Sequence, residues 1–198
     1  MEPLETKEKI EEAGAGHASL GSGRRIGLLI AALAALLALT ETGGKSAQTE
    51  ALNANVQASD LWAFFQAKTV RLTTIRTAAE LASVDLLREV APDTKAAIQK
   101  QIDTWNATAA RYESDPQTKE GRKELSERAK QAEAERDRGL AAYHLFEFGS
   151  AAAQLAIVLA SAAIITGVML FVYVAGGLGM IGAMFGLLAW FAPTMFHL

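Results

Sequence analysis

Charge in this chain is sorted into blocks, and that sorting restricts what it can fold into more than any other feature. From Ile26 to Thr40 there is no acidic or basic side chain, and from Ser150 to Leu198 there is none apart from His197. All remaining charge lies in the N-terminal residues up to Arg25 or between Glu41 and Glu147, where fifteen Lys/Arg stand among seventeen Asp/Glu. Averaged over the chain, 51% hydrophobic residues would suit a soluble domain. Segregated in this way, they point instead to apolar helices in a bilayer flanking a charged segment in water. The interspersed signs lack the basic face of a nucleic-acid binder, so no nucleic-acid partner is expected. Cysteine is absent, which excludes disulfides, thiolate nucleophiles and Cys-ligated metal sites.

Residues 1–23 mix both charge signs with four glycines and show no apolar periodicity, so they are expected to form a mobile tail. Arg24-Arg25 opens a 15-residue apolar run, shorter than the roughly 20 residues that cross a hydrocarbon core. The leader before it is long and acidic, and Glu41-Thr42-Gly43-Gly44-Lys45 after it is no small-x-small cleavage site, so an uncleaved span over 24–44 is expected. Snorkelling arginines and Thr40 to Gly44 would supply the missing length.

From Ala47 the residues Ala51, Ala54, Ala58, Leu61, Phe65, Lys68, Leu72, Ile75, Ala79, Ala82 and Leu86 follow at alternating spacings of four and three. This is a heptad seam. Walked backwards it passes through Gly44, Thr40, Leu37, Leu33, Ile30 and Ile26 without changing phase, which predicts one helix of about sixty residues with Gly43-Gly44 as its natural bend. Pro92 should end that helix and open a second, whose seam is Ile98, Ile102, Trp105, Ala109 and Tyr112. Ser114-Asp115-Pro116 marks another break, with Asp115 as N-cap and Pro116 at the first helical position. The helix after it is charged nearly all round, with Glu124–Arg128, Glu127–Lys130, Glu133–Arg136 and Glu135–Arg138 at pairing distance, and with Leu125, Ala129, Ala132, Leu140 and Tyr143 as a thin apolar stripe.

The expected fold is therefore an all-α membrane protein: three membrane helices, with a long antiparallel coiled-coil-like helical hairpin between the first and second. The hairpin or stalk occupies 45–149, the second membrane helix 150–173, and a glycine-rich turn at Val174-Ala175-Gly176-Gly177 leads into the third within 174–198.

Candidate functional residues fall into four groups. Gly182 and Gly186 form a GxxxG pair, overlapped by Gly179 and Ala183 at the same spacing; small residues four apart let helix backbones touch, either between copies or within one chain. Phe65, Lys68 and Leu72 lie on the seam, where a single polar residue such as Lys68 sets register and oligomer state. Glu41, Lys45, His144 and Glu147 should meet at the membrane surface, with a Lys45–Glu147 ion pair. Gln154 is the one strongly polar side chain within the second span, suited to an interhelical hydrogen bond or, in a rival reading, to the wall of a pore. Neither a catalytic constellation nor a ligand set for a metal or other cofactor is expected.

The segments Gly43-Gly44-Lys45-Ser46-Ala47-Gln48-Thr49-Glu50-Ala51 and Ala58-Ser59-Asp60-Leu61-Trp62-Ala63-Phe64-Phe65-Gln66-Ala67-Lys68 resemble a bacterial membrane-protein family known only as domain of unknown function 4337. The resemblance covers most of the chain from Arg24 onward and implies a bacterial membrane protein without an assigned activity. From the residues themselves, the expected function is that of a non-enzymatic, homo-oligomeric inner-membrane scaffold or docking protein, whose partners are the lipid bilayer, further copies of itself and a protein met through the stalk. Lys45, Arg136 and Arg138 nearly balance Arg24-Arg25 in the positive-inside count, and the tightness of the arginine pair with the uncharged Gly176-Gly177 turn sets the expectation of a cytoplasmic N-terminus. The rival expectation is a channel or transporter subunit with a path lined by the second and third membrane helices.

Overall fold

In the computed structural model, residues 3–88 and 91–195 are described, with side chains from Gly23 onward. The described residues form four helices and no strand: α1 (Pro3–Asp85), α2 (Pro92–Glu113), α3 (Arg122–Thr166) and α4 (Met169–Phe191). Three of them, α1, α3 and α4, contain stretches long and apolar enough to cross a membrane. The chain divides into two compact units, Met1–Thr49 with Arg138–Leu198, and Glu50–Asp137.

The seam predicted along α1 lies on its inner face. Ile26, Leu33, Thr40, Gly44, Ala47, Ala51, Ala54, Ala58, Leu61, Lys68, Leu72 and Ala79 are buried, and the remaining seam positions are half-buried. The helix continues uninterrupted through Gly43 and Gly44. Gly43 has a packing role: a Cβ there would stand 2.6 Å from Cζ of the Phe146 ring. The backbone over residues 3–23 is also helical, where a mobile tail is expected. Proline at the first position and a run of Glu, Lys and Ala favour this, against about 1 kcal/mol relative to alanine for each interior glycine.

In the first unit, α1, α3 and α4 pack through small residues. Ala153, Ala156, Ala160 and Ala163 make an inner stripe on α3 at 0–2% exposure, and Ala156, Ala160 and Ala163 cluster with Ile26, Leu33 and Ala175. A second cluster gathers Ala47, Leu145, Phe146 and Ala189. Small side chains bring helix axes close and gain dispersion contact where lipid supplies no hydrophobic drive.

The turn between the last two helices departs from expectation. It lies at Gly167-Val168, and Val174 to Gly177 are helical inside α4. Gly167 adopts φ +69°, the left-handed conformation that ends helices most easily at glycine, and its N–H donates to the Ala163 carbonyl at 2.9 Å. Thr166 supports the corner by accepting the Val168 N–H at 3.4 Å. Moving the turn upstream makes α4 23 residues long, about 34 Å at 1.5 Å per residue, which is long enough to cross a hydrocarbon core.

In the second unit, α1 pairs with the start of α3 through Ala58, Leu61, Leu125, Ala129 and Ala132, with Trp62, Phe64 and Phe65 packed against them. Partners descend along α3 as they ascend along α1, Trp62 meeting Glu133 and Thr69 meeting Arg122, so the pairing is antiparallel. Pro92 opens α2 as its sequence implies, and Ile102 and Ala109 of that helix are buried. The expected break at Ser114-Asp115-Pro116 is present, but Asp115 caps only a single turn. Its Oδ1 accepts the Thr118 N–H at 3.3 Å, and Lys119 at φ 57° then stops the turn before α3 begins at Arg122. Leu140 is 40% exposed; Gly139 and Ala142 take the buried positions of that stripe.

Candidate functional site

The densest polar arrangement is built around Lys68 and Arg122 in the second unit. The heptad pattern puts Lys68 on the inner face of α1, where it is 9% exposed. A buried ammonium needs compensation, and Lys68 obtains it three ways: Nζ lies 5.3 Å from the centre of the Phe64 ring, 5.0 Å from that of Tyr112, and 3.7 Å from Glu120 Oε2. Each aromatic face offers an amine a favourable quadrupole.

Arg122, the first residue of α3, ties the same junction together. Its guanidinium lies 5.0 Å from the centre of the Phe65 ring. Nε donates to Thr69 Oγ1 at 2.9 Å and Nη1 to Glu113 Oε2 at 3.2 Å, and that carboxylate also accepts from Arg76 at 3.4 Å. Trp62 stands edge-on to Phe65, centroids 5.4 Å apart, and donates through Nε1 to Glu133 at 2.9 Å. Glu124 accepts the Ser114 hydroxyl at 2.5 Å and the Asp115 N–H at 3.1 Å. Thus Glu124 and Glu133, expected to pair along their own helix, reach across to other elements. An exposed intrahelical pair contributes only about 0.3–0.5 kcal/mol, so a directed hydrogen bond prevails. The Ser114 hydroxyl holds the Glu124 carboxyl below the usual carboxylate range, and hydrogen bonds from Thr118 do the same for Asp115.

Phe65, Lys68 and Leu72 therefore share one inner face; Lys68 meets α2 and the turn after it, Phe65 meets the start of α3, and Leu72 is buried. Sequence reasoning missed Arg122, because its role depends on which helix start the fold brings beside Phe65 and Thr69. The rule that a buried lysine needs aromatic or acidic company would have pointed to Phe64, four residues before Lys68 on the same helix, and to Tyr112 on the predicted α2 seam.

The glycine face of α4 is occupied inside the first unit. A Cβ at Gly179 would meet Leu33 Cδ2 at 2.5 Å, at Gly182 the Gly149 carbonyl oxygen at 3.0 Å, and at Gly186 Thr40 Cγ2 at 3.2 Å. Of the two roles open to the GxxxG pattern, these contacts are those of packing within the chain. Ala183 is half-buried and lines an open apolar groove with Met180, Met184, Leu187 and Phe191 on the outer side of the helix. Gly149 and the Ser150 hydroxyl, which donates to Thr40 Oγ1 at 3.0 Å, complete the contact; neither was identified from sequence, although Thr40 was already a seam position.

The expected surface cluster is rearranged. Gln154 donates to Glu41 Oε1 at 3.4 Å, the interhelical hydrogen bond anticipated for it. Glu147 lies 3.7 Å from His144 on the exposed side of α3 and does not pair with Lys45. Helix phase explains the change: Gly44 and Ala47 turn inward toward Leu145 and Phe146, which leaves Lys45, His144 and Glu147 exposed. Among the described residues no group of three His, Cys, Asp or Glu side chains is arranged to hold a metal ion.

Chemically, both arrangements hold helices together. One locks three helix segments by cation–aromatic and carboxylate contacts, and the other seats α4 on α1 and α3. No curated protein and no solved structure matches the chain. A family model matches residues 22–192, most of the sequence, and on that match the chain belongs to the family described as Domain of unknown function (DUF4337).

Proposed function

We propose that this protein is a non-enzymatic, homo-oligomeric scaffold of the bacterial inner membrane, carrying a coiled-coil stalk that holds or docks a partner protein. The observation that carries the reading is the unbroken course of α1, whose inward seam keeps one phase from Ile26 in an apolar stretch to Ala79 in the charged segment. A helix of this kind transmits position along its length. The Lys68–Arg122 junction supports the same reading, because its cations are spent on fastening helices. The three apolar helices hold the chain in the bilayer, with the N-terminus cytoplasmic and the stalk on the opposite side.

Flux and labelling measurements on the full-length chain in liposomes and cells test this. A scaffold gives ion flux equal to that of protein-free vesicles, before and after Gln154→Leu. In cells, a cysteine introduced at exposed Glu127 reacts with a membrane-impermeant maleimide added from outside the inner membrane. Flux that depends on Gln154 would overturn the scaffold in favour of a channel, and a residue 127 thiol reachable only from the cytoplasm would overturn the orientation.

A further inference from the structure

The charge-free run of α1, residues 26–40, has only fifteen residues, about 22 Å of helix, and falls short of the roughly 30 Å of a hydrocarbon core. Contacts inside the first unit show where the missing length comes from. Helix α4 runs beside α1 in the same direction, with Gly179 against Leu33 and Gly186 against Thr40. Helix α3 runs the opposite way, with Ser150 bonded to Thr40 and Ala163 clustered with Ile26. Continued in that register, Tyr173 of α4 comes level with the start of the run just after Arg25, and Trp190 comes level with Lys45 of α1 and His144 of α3.

These side chains face outward. Tyr173 and Trp190 are 75% and 70% open, and Arg24, Arg25, Lys45 and His144 are exposed as well. The unit thus carries two girdles, the arginine pair with Tyr173 at one end and Lys45 and His144 with Trp190 at the other. Lys45 follows Arg25 by twenty residues, about 30 Å along the helix. Tyrosine and tryptophan beside cations mark the level of lipid headgroups, and the spacing is that of the two surfaces of a hydrocarbon core. A protein partner would impose no such separation.

We infer that lipid headgroups meet the bundle at Lys45, His144 and Trp190, one turn beyond the charge-free run, and that Glu41 and Gln154 form a polar pair beneath that boundary. The inference rests on the membrane part of the reading above and fixes its depth. Glu41 stands one turn below Lys45, about 6 Å. Every Cα–Cβ bond of a helix tilts toward its N-terminus, so on α1 the Glu41 side chain leans toward the apolar run and away from the headgroups. There its Oε1 accepts the amide of Gln154 at 3.4 Å. Glu147 begins at a similar level, but α3 runs the other way, so its side chain leans outward and meets His144 at 3.7 Å. An acidic group below the headgroups is costly and needs a polar partner, which Gln154 supplies.

Because the chain has no cysteine, single introduced thiols report depth one position at a time. In nanodiscs, where both faces meet solvent, a water-soluble maleimide should modify Lys45→Cys as an exposed thiol and Glu41→Cys at least about tenfold more slowly, since the reactive thiolate is disfavoured away from water. Val158→Cys, 64% open and level with the middle of the run, sets the slow limit. In liposomes, lipids brominated near the headgroup should quench the part of the tryptophan emission that Trp190→Phe removes, and lipids brominated near the chain ends should quench it less. All the replaced side chains are exposed, so helix content should be unchanged. A Glu41→Cys thiol as reactive as Lys45→Cys, with Val158→Cys still slow, would overturn this boundary and leave the membrane reading standing. Stronger quenching of Trp190 by the deeper bromines would also overturn the boundary. Fast modification at all three positions would overturn both the boundary and the membrane reading.

Discussion

Gly121 shows how a single residue can fix a junction. It is buried just before α3, and a Cβ there would stand 2.6 Å from the Ser114 Cα, a backbone atom that cannot swing aside. Gly121→Ala should therefore destabilise the chain by about 1–3 kcal/mol, the usual range for forced overpacking, as read by chemical unfolding in detergent. Acid should act at the same turn. Asp115 and Glu124 have carboxyl groups held below their ordinary values by hydrogen bonds from Thr118 and Ser114. A depressed folded-state value stabilises the fold above the unfolded-state pKa, and that contribution is lost as pH falls through the folded-state value. Amide exchange at 114–124 should accordingly quicken as pH drops below about 4, beyond the intrinsic change in exchange rate. Glu124→Gln should flatten that dependence; an unchanged profile would show that these hydrogen bonds do not hold the turn.

Among the elements, α4 yields the sharpest test. Its glycines face Leu33, Gly149 and Thr40 of the same chain, so Gly182→Leu should separate α4 from α3 and lower the thermal midpoint in detergent without altering the number of subunits. A change in subunit number with unchanged stability would return the GxxxG face to the oligomer interface. Much of the element layout was legible in the sequence, and the reasons are physical. A seam alternating by four and three survives inspection because one face of a long helix must be apolar throughout, and Pro92 and Pro116 announce breaks because proline cannot continue a helix from before it. The turn at Gly167 was not legible. It is one glycine in an apolar run, whereas Gly176-Gly177 looks more like a turn yet lies within α4, where a Cβ at either would meet nothing within 4 Å. The partners of Lys68, Arg122 and Glu133 were hidden for a different reason: periodicity states which face is inward but not which side chain of another helix arrives there.

For the whole molecule, the inward and outward faces of α1 divide the work. The inward seam is satisfied inside the chain by alanines, a lysine among aromatic rings, and the returning helices. The outward side of α1 stays exposed over residues 52–84, and assembly into oligomers is the central claim of the proposed scaffold. The most direct test is the mass of the full-length protein in lipid nanodiscs across a range of concentrations. A discrete species at a whole multiple of 21.1 kDa, after allowance for the disc, is the result the account predicts; a 21.1 kDa monomer at every concentration would contradict it.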